Sequence, residues 1–346
     1  MNTTLMPASE AGLERAARLI RAGEVVAFPT ETVYGLGANA LDADAVRKIF
    51  EAKGRPGDNP LLVHIARLEQ LDGLVKTPLP PLALRLARAY WPGPMTMILK
   101  KTERIPDAVS AGLDTVGIRL PAHPAARALI ERAGCPIAAP SANRSGRPSP
   151  TLASHVLEDM DGRIALILDG GACEVGLEST VVDLTADRPR VLRPGGVTRE
   201  MIERVAGAAD VDEGVLRPLA EGERPRSPGM KYRHYAPRGR LTIVRGSDKR
   251  VAQKICKLYD EACARGGRAA ILALSANAPA YAPRRVRALG ADAGEVAGTL
   301  FAALREMDEA GVTDIFAEAV DARGVGLAVM NRMGRAAAFH VINAEE

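Results

Sequence analysis

The sequence predicts an α/β protein built as two domains, and three observations carry that prediction. Short apolar runs of strand length alternate with helical periodicity from the N-terminus onward. A stretch with no sustained period, 207–240, interrupts the alternation, and from Leu241 the same pattern resumes to the end. The length of 346 residues agrees, since ~150 residues is an ordinary domain size.

Strand candidates in the first part are 24–28 (EVVAF), 61–66 (LLVHIA), 95–99 (MTMIL), 116–120 (VGIRL), 136–140 (PIAAP), 164–168 (IALIL) and 179–184 (STVVDL). Helical patterns lie near 13–21, 44–53, 81–90, 124–133, 151–159 and 198–206. This mixture reads as a sheet covered by helices. The connection between 164–168 and 179–184 is too short for a crossover helix, so the sheet is expected to be mixed rather than purely parallel. After the connector, strands at 241–245, 269–274 and 314–320 alternate with helices near 248–265, 295–309 and 326–337. The expected boundaries are 1–206 for the first domain, 207–240 for the connector and 241–346 for a smaller α/β domain.

Composition excludes several classes. The balance of 46 Lys/Arg against 42 Asp/Glu is only +4, too little for a generic nucleic-acid binder. It is unevenly placed: 26 against 27 over 1–220, six against two over 221–240, and 14 against 13 over 241–346. The basicity therefore sits in the connector. Four cysteines without a C-x-x-C pair suggest neither a zinc site nor a disulfide framework, and a reduced compartment is expected. No apolar run approaches membrane-spanning length, and the N-terminus has no signal-peptide form. A soluble cytoplasmic protein without a membrane partner is the expectation.

Three polar segments at strand ends carry the candidate chemistry. The first, Pro29–Gly37 (PTETVYGLG), follows a strand and offers Thr30 and Thr32 hydroxyls with exposed backbone N–H groups. It reads either as a capped glycine turn or as a holder of a polar small molecule. It is neither a G-x-G-x-x-G nor a P-loop pattern. The second, Lys53–Pro60 (KGRPGDNP), places two cations at a helix end, either solvated or converging on phosphate or carboxylate. His64 in the following strand is either a hydrogen-bonded core histidine or a contact to an anionic substrate. The third runs from Ala139 through Ser149 (APSANRSGRPS), beyond another strand, with Arg119 at the end of a further one. Ser141 and Asn143 are turn formers or donors to phosphate oxygens. Ser179, Thr180 and Arg193 are polar strand-end residues of the same kind. No nucleophile elbow, zinc motif or Cys/His pair appears, and Cys135 and Cys173 read as small buried hydrophobes. Such an inventory suits catalysis by positioning and charge neutralisation, as in phosphoryl and nucleotidyl transfer.

Together these stretches resemble the threonylcarbamoyl-AMP synthase family. The likeness rests on FPTETVYGLG at 28–37, KGRPGDNPLLVHI at 53–65, YWPGPMTMIL at 90–99, VGIRLP at 116–121, APSANRSGRPSPT at 139–151, GLESTVVDL at 176–184 and VLRPGG at 191–196. SPGMKYRHYAP at 227–237 and IFAEAVDARGVGLAVMNRMGRAA at 315–337 are similar to the long, two-domain form. The resemblance covers nearly all of the chain. It implies a YrdC-type open twisted mixed sheet with helices, followed by a smaller Rossmann-like α/β domain. It also implies a nucleotidyltransferase that joins L-threonine, bicarbonate or CO2 and ATP into L-threonylcarbamoyladenylate, with release of pyrophosphate. The adenylate would supply N6-threonylcarbamoyladenosine at position 37 of tRNA through a separate downstream transferase system, and a weak direct contact with tRNA is a secondary expectation.

Carried onto this sequence, the resemblance implies Lys53 and Arg55 as catalytic residues. It implies an L-threonine site of Thr32, His64, Arg119, Ala139 and Ser179. For ATP it implies Arg55, Asn59, Thr115, Ser141, Asn143, Ser149, Arg193 and His234 of the connector. Mg²⁺ would be held mainly by ATP, with no protein ligand assigned. The segment 227–237 is expected to act as a lid that excludes water. Rival readings are an RNA-binding module, which the near-neutral charge of 1–220 disfavours, and a carbamoyltransferase of the hydrogenase-maturation type, whose cysteine motifs are absent. A catalytically idle scaffold is the third, disfavoured by the intact K-x-R and S-x-N pairs.

Overall fold

A computed structural model describes residues 2–215, 217 and 235–346. His234 and most of the expected lid lie outside the described residues. The described residues form two compact units. One comprises 2–145 and 149–215; the other comprises Gly146–Pro148 and 235–346.

The first unit runs β1 (Thr4–Pro7), α1 (Glu10–Arg21), β2 (Val26–Phe28), β3 (Gly35–Asn39), α2 (Ala43–Lys53), β4 (Leu62–His64), α3 (Pro81–Tyr90), β5 (Met95–Lys100), α4 (Asp107–Ser110), β6 (Thr115–Arg119), α5 (Pro124–Ala133), β7 (Ile137–Ala139), α6 (Ala153–Met160), β8 (Leu166–Asp169), β9 (Thr180–Asp183), β10 (Arg190–Arg193), α7 (Arg199–Ala206) and β11 (Asp210–Val211). Its strands form one sheet in the order β1-β8-β2-β3-β7-β4-β6-β5-β9-β10-β11. The pairs β4–β6 and β5–β9 are parallel, whereas β2–β3, β3–β7, β4–β7 and β5–β6 are antiparallel. The sheet is mixed, as expected, but the stated reason does not hold. β8 lies between β1 and β2 while β9 lies beside β5, so the short connection does not join neighbouring strands.

Apolar residues fill both faces. One core contains Leu36, Val46, Ile49, Leu61, Val63, Leu86 and Met97. The other contains Leu13, Ile20, Phe28, Leu129, Ile130 and Leu166 beneath α1 and α5. Burial on both faces explains why several strands read as continuous apolar runs. It also explains why β3 (GLGAN) escapes the apolar pattern. A Cβ at Gly37 would stand 2.6 Å from Ile137 and 2.7 Å from Phe28, so small residues are required where β3 meets its neighbours. Strands β1, β10 and β11 are likewise short additions that no apolar run marks.

Local chemistry fixes where the functional segments begin. The N-cap Asp42 of α2 accepts hydrogen bonds from the Asp44 and Ala45 N–H groups. Its buried face is Ala45, Val46, Ile49 and Phe50, and Gly54 ends it in the left-handed region at φ 63°. Lys53 and Arg55 therefore flank a chain reversal rather than share a helix face.

The second unit contains β12 (Arg240–Arg245), α8 (Asp248–Ala264), β13 (Ala269–Leu274), β14 (Val286–Gly290), α9 (Ala293–Glu309), β15 (Asp314–Glu318), α10 (Val325–Ala336) and β16 (Val341–Asn343). Its sheet has the order β14-β13-β15-β12-β16, with every pair parallel. The smaller α/β domain is thus Rossmann-like in its layering, with β14 and β16 added to the three strands expected. Within it Tyr235 stacks on Phe301 at 5.2 Å, with the Arg332 guanidinium 5.7 Å from its ring. Among the described residues, no helix is long and apolar enough to cross a membrane.

One contact in the first unit is tight enough to test the packing directly. A Cβ at Gly195 would lie 2.4 Å from the Thr180 nitrogen and 2.6 Å from the Glu178 carbonyl oxygen, both backbone atoms with little room to yield. Gly195→Ala is expected to destabilise the protein by about 2 kcal/mol or more, read as a lowered urea midpoint. An unchanged midpoint would show that the 191–196 segment does not press on the start of β9.

Candidate active site

The site grows from Arg119, the last residue of β6, which is only 3% exposed. Register places it beside His64 on parallel β4 and opposite Thr96 on antiparallel β5. Its partners come from two segments, Glu31–Thr32 and Gly93. Nη1 donates to Thr32 Oγ1 at 2.8 Å, Nη2 lies 2.7 Å from Glu31 Oε1, and Nε donates to the Gly93 carbonyl at 3.4 Å. Thr30 fixes the loop from within, its hydroxyl contacting Thr32 Oγ1 at 2.8 Å and donating to the Val33 carbonyl at 2.6 Å.

Burial sets the charge states here. His64 is desolvated and faces the Arg119 cation, which together push its pKa down to about 3. It is a neutral ring, edge-on to Phe28 at 6.0 Å, and it does not hold an anion by charge. Burial alone would raise the carboxyl of Glu31, but the Arg119 charge and hydrogen bonding outweigh it, so Glu31 stays below its ordinary value and ionised. Burial pushes the thiols of Cys135 and Cys173 up to about 11 and about 12, so neither is a thiolate at neutral pH.

A second set adjoins the first. Ser179, just before β9, pairs its hydroxyl with Thr96 Oγ1 at 2.8 Å. Arg193 at the end of β10 donates to the Ser179 carbonyl at 3.0 Å and to its hydroxyl at 3.2 Å. Ser149 donates to the buried Glu178 carboxylate, tying the 149–151 segment to the same strand start.

The Lys53 and Ser141 segments form the third set. Lys53, 4% exposed, donates from Nζ to the carbonyls of Ser141 at 2.5 Å and Asn143 at 2.6 Å. Ser141 Oγ donates to Asn143 Oδ1 at 2.5 Å. Arg55 is 7% exposed and donates to the Asn59 carbonyl at 2.9 Å. These burials exclude the reading of Lys53 and Arg55 as a solvated loop pair. The third set reaches the first through backbone: Ala142 N–H donates to the Tyr34 carbonyl at 2.8 Å, Tyr34 N–H to the Pro150 carbonyl at 2.9 Å, and Gly35 bridges Ser141.

The structure thus gathers Thr32, His64, Arg119 and Ser179 around one group of strand ends, with Lys53, Ser141, Asn143, Ser149 and Arg193 in segments bonded to it. Ala139 lies in β7 opposite Leu62, its side chain in the core, so it offers the site only backbone. Thr115 is not brought to Arg119. It begins the strand that Arg119 ends, and lines a small recess with Pro60, Leu61 and Leu62. Sequence reasoning missed Glu31, Thr96 and Glu178. The signal for Glu31 was present as a lone carboxylate between two threonines in a strand-end segment.

The depressed pKa of His64 has a measurable consequence. Between pH 6.5 and about 3 the unfolded chain binds a proton on His64 that the folded chain refuses, so stability falls as the pH is lowered through that window. From pH 7 to pH 5 the wild type is expected to lose about 2 kcal/mol more than His64→Gln in urea denaturation. Parallel losses in the two proteins would contradict a neutral buried His64.

Comparison with known proteins identifies the family. A family profile described as telomere recombination matches residues 18–195, and one described as threonylcarbamoyl-AMP synthase, C-terminal domain, matches residues 197–338. The chain is 51% identical over 333 residues to the threonylcarbamoyl-AMP synthase of Bacillus subtilis, covering 95% of this chain and 94% of that one. It is 49% identical over 327 residues to that of Pyrococcus abyssi, covering 94% of each. Among solved structures, that of P. abyssi Sua5 complexed with L-threonine matches with a TM-score of 0.92 at 47% identity, over 99% of this chain and 98% of that one. With both profiles matched and relatives aligned over nearly its whole length, the chain belongs to the threonylcarbamoyl-AMP synthase family, enzymes of the nucleotidyltransferase type, in its two-domain form.

Proposed function

We propose that this enzyme makes L-threonylcarbamoyladenylate from L-threonine, bicarbonate or CO2 and ATP, releasing pyrophosphate and water. The observation that carries this reading is the pairing of a buried guanidinium at a hydroxyl-lined strand end with adjoining segments rich in cations and hydroxyls. The strand end around Arg119, with Ser179 beside it, suits an α-amino acid. Arg119 takes the carboxylate through its planar fork, Thr32 and Ser179 meet polar atoms of the ligand, and neutral His64 contributes a ring nitrogen without a competing charge. Ala139 adds backbone contacts.

The remaining cations and hydroxyls suit a nucleotide triphosphate. Arg55 and Arg193 neutralise phosphate charge, and Ser141, Asn143 and Ser149 donate to phosphate oxygens. Asn59, whose carbonyl Arg55 holds, and Thr115 are assigned to the nucleoside end. Lys53 positions the Ser141–Asn143 carbonyls and lends its charge to the same region. In the reaction, threonine nitrogen is first carboxylated. An oxygen of the resulting carbamate then attacks the α-phosphorus as the bond to pyrophosphate breaks, so the protein's task is alignment and charge stabilisation.

Among the described residues, no three His, Cys, Asp or Glu side chains converge as a metal cluster. Mg²⁺ would enter with the triphosphate and supply charge neutralisation there. The same proposal sends the adenylate to tRNA N6-threonylcarbamoyladenosine synthesis through a downstream transferase.

The test is incubation with labelled bicarbonate, L-threonine and ATP. The expected result is pyrophosphate release that depends on all three, with label in a product that contains both threonine and AMP. Arg55→Ala is expected to lower the rate at least ~100-fold by removing one phosphate-neutralising cation. Pyrophosphate release that is indifferent to threonine would overturn the reading.

A further inference from the structure

Arg119 has a buried acidic partner. Glu31 is 6% exposed and its carboxylate lies 2.7 Å from Arg119 Nη2. A buried carboxylate beside the guanidinium that is to bind a ligand's carboxylate is a paradox for an anion site. A second negative charge brought to that cation would be repelled by the first, in surroundings that screen poorly.

The paradox disappears for a zwitterion. We infer that Glu31 is the specificity residue for the α-ammonium of the amino acid, and that in the free protein it stands in as the counter-ion of Arg119. This inference rests on the amino-acid reading of the site. Loading exchanges one ion pair for two: the ligand's carboxylate takes the guanidinium fork, and its ammonium takes the carboxylate that the fork releases. Net charge in the buried cluster is zero before and after, because the zwitterion is itself neutral.

The surroundings support that count. His64, packed at the same strand end, is neutral. The other titratable groups close enough to feel the Glu31 charge are His123 and Cys173, and burial lowers the first and raises the second, toward their neutral forms. Thr30, Thr32, Thr96 and Ser179 supply dipoles without charge. Glu31 is therefore the anion in contact with the guanidinium, whereas the Glu178 carboxylate accepts from Ser149 on the Ser179 side. Its backbone is fixed as well, since the Glu31 carbonyl accepts a hydrogen bond from Val175 N–H at 2.8 Å. Release from Arg119 thus needs only a side-chain rotation.

The role differs from that of a structural counter-ion in one measurable way. A structural partner would affect all ligands through the shape of the site, whereas a zwitterion selector discriminates by the ligand's amino group. The experiment is calorimetric titration of the full chain with L-threonine and with (R)-β-hydroxybutyrate, which is threonine without that group. Wild type is expected to prefer threonine by ~100-fold or more. Glu31→Gln is expected to weaken threonine at least ~10-fold and to bind the des-amino acid as well as or better than wild type, so that the preference collapses. Glu31→Asp, which keeps the charge, is expected to retain most of the preference and serves if the Gln variant does not fold.

An intact preference in Glu31→Gln, or its loss in Glu31→Asp equal to that in Glu31→Gln, overturns the inference. The outcomes also separate it from the reading beneath it. Wild type that binds serine or another α-amino acid instead of threonine, with the same collapse in Glu31→Gln, sinks the threonine assignment and keeps the role of Glu31. Threonine bound with a preference indifferent to Glu31 does the reverse, and rejection of every amino acid sinks both.

Discussion

A guanidinium buried to 3% exposure must be fully partnered, and Arg119 is the constraint around which the first unit is organised. Taking the ion out of water is expensive. The fold meets that cost with a carboxylate, a hydroxyl and a backbone carbonyl drawn from 31–32 and Gly93. Removing any one leaves a charge or donor uncompensated in a low-dielectric site. The loop after β2, the turn before β5 and the end of β6 are thereby held in one relative position. Ion pairs of this kind are weak evidence for stability, since an apolar replacement of similar shape is often as stable. A pair retained at the end of a strand, next to a neutral histidine and three hydroxyl groups, is better understood as a preorganised binding group.

The mixed sheet supplies the geometry. Parallel β4 and β6 deliver His64 and Arg119 at the same end, while antiparallel β5 brings Thr96 to that end from the opposite direction. Parallel β9 begins beside the start of β5 and sets Ser179 against Thr96. A wholly parallel sheet would send the starts of β5 and β9 to the far side. Antiparallel β3 and β7 in turn bridge Gly35 to Ser141, which joins the Lys53 and Asn143 segments to the threonine loop. Close backbone approach at Gly195, where a Cβ would meet Thr180 nitrogen, lets Arg193 reach Ser179.

Much of this was legible in the sequence. Strands such as 95–100 and 269–274 announce themselves as apolar runs, and α2, α3 and α5 carry clean periodicity with recognisable ends. The recurrence of polar residues just past strand ends points to Thr32, Arg119, Ser141 and Ser179. What was illegible has physical causes. β3 is a strand made of glycine and alanine because its neighbours leave no room, and it looks like a turn. The pairing of β8 with β1 and β2 is a long-range choice that no local pattern encodes. Glu31 looks like one more polar loop residue, since its meaning lies in a partner 88 positions away. Thr115 and Arg119, assigned to different ligands, stand at opposite ends of one strand.

The central claim is that the Arg119 fork, rather than its charge alone, binds the amino acid. Titrating L-threonine into Arg119→Lys tests it most directly, because lysine keeps a cation for Glu31 while removing the planar pair of donors. The account predicts that threonine affinity falls by ~100-fold or more, with the urea midpoint largely retained. Threonine binding as tight as in the wild type would contradict it.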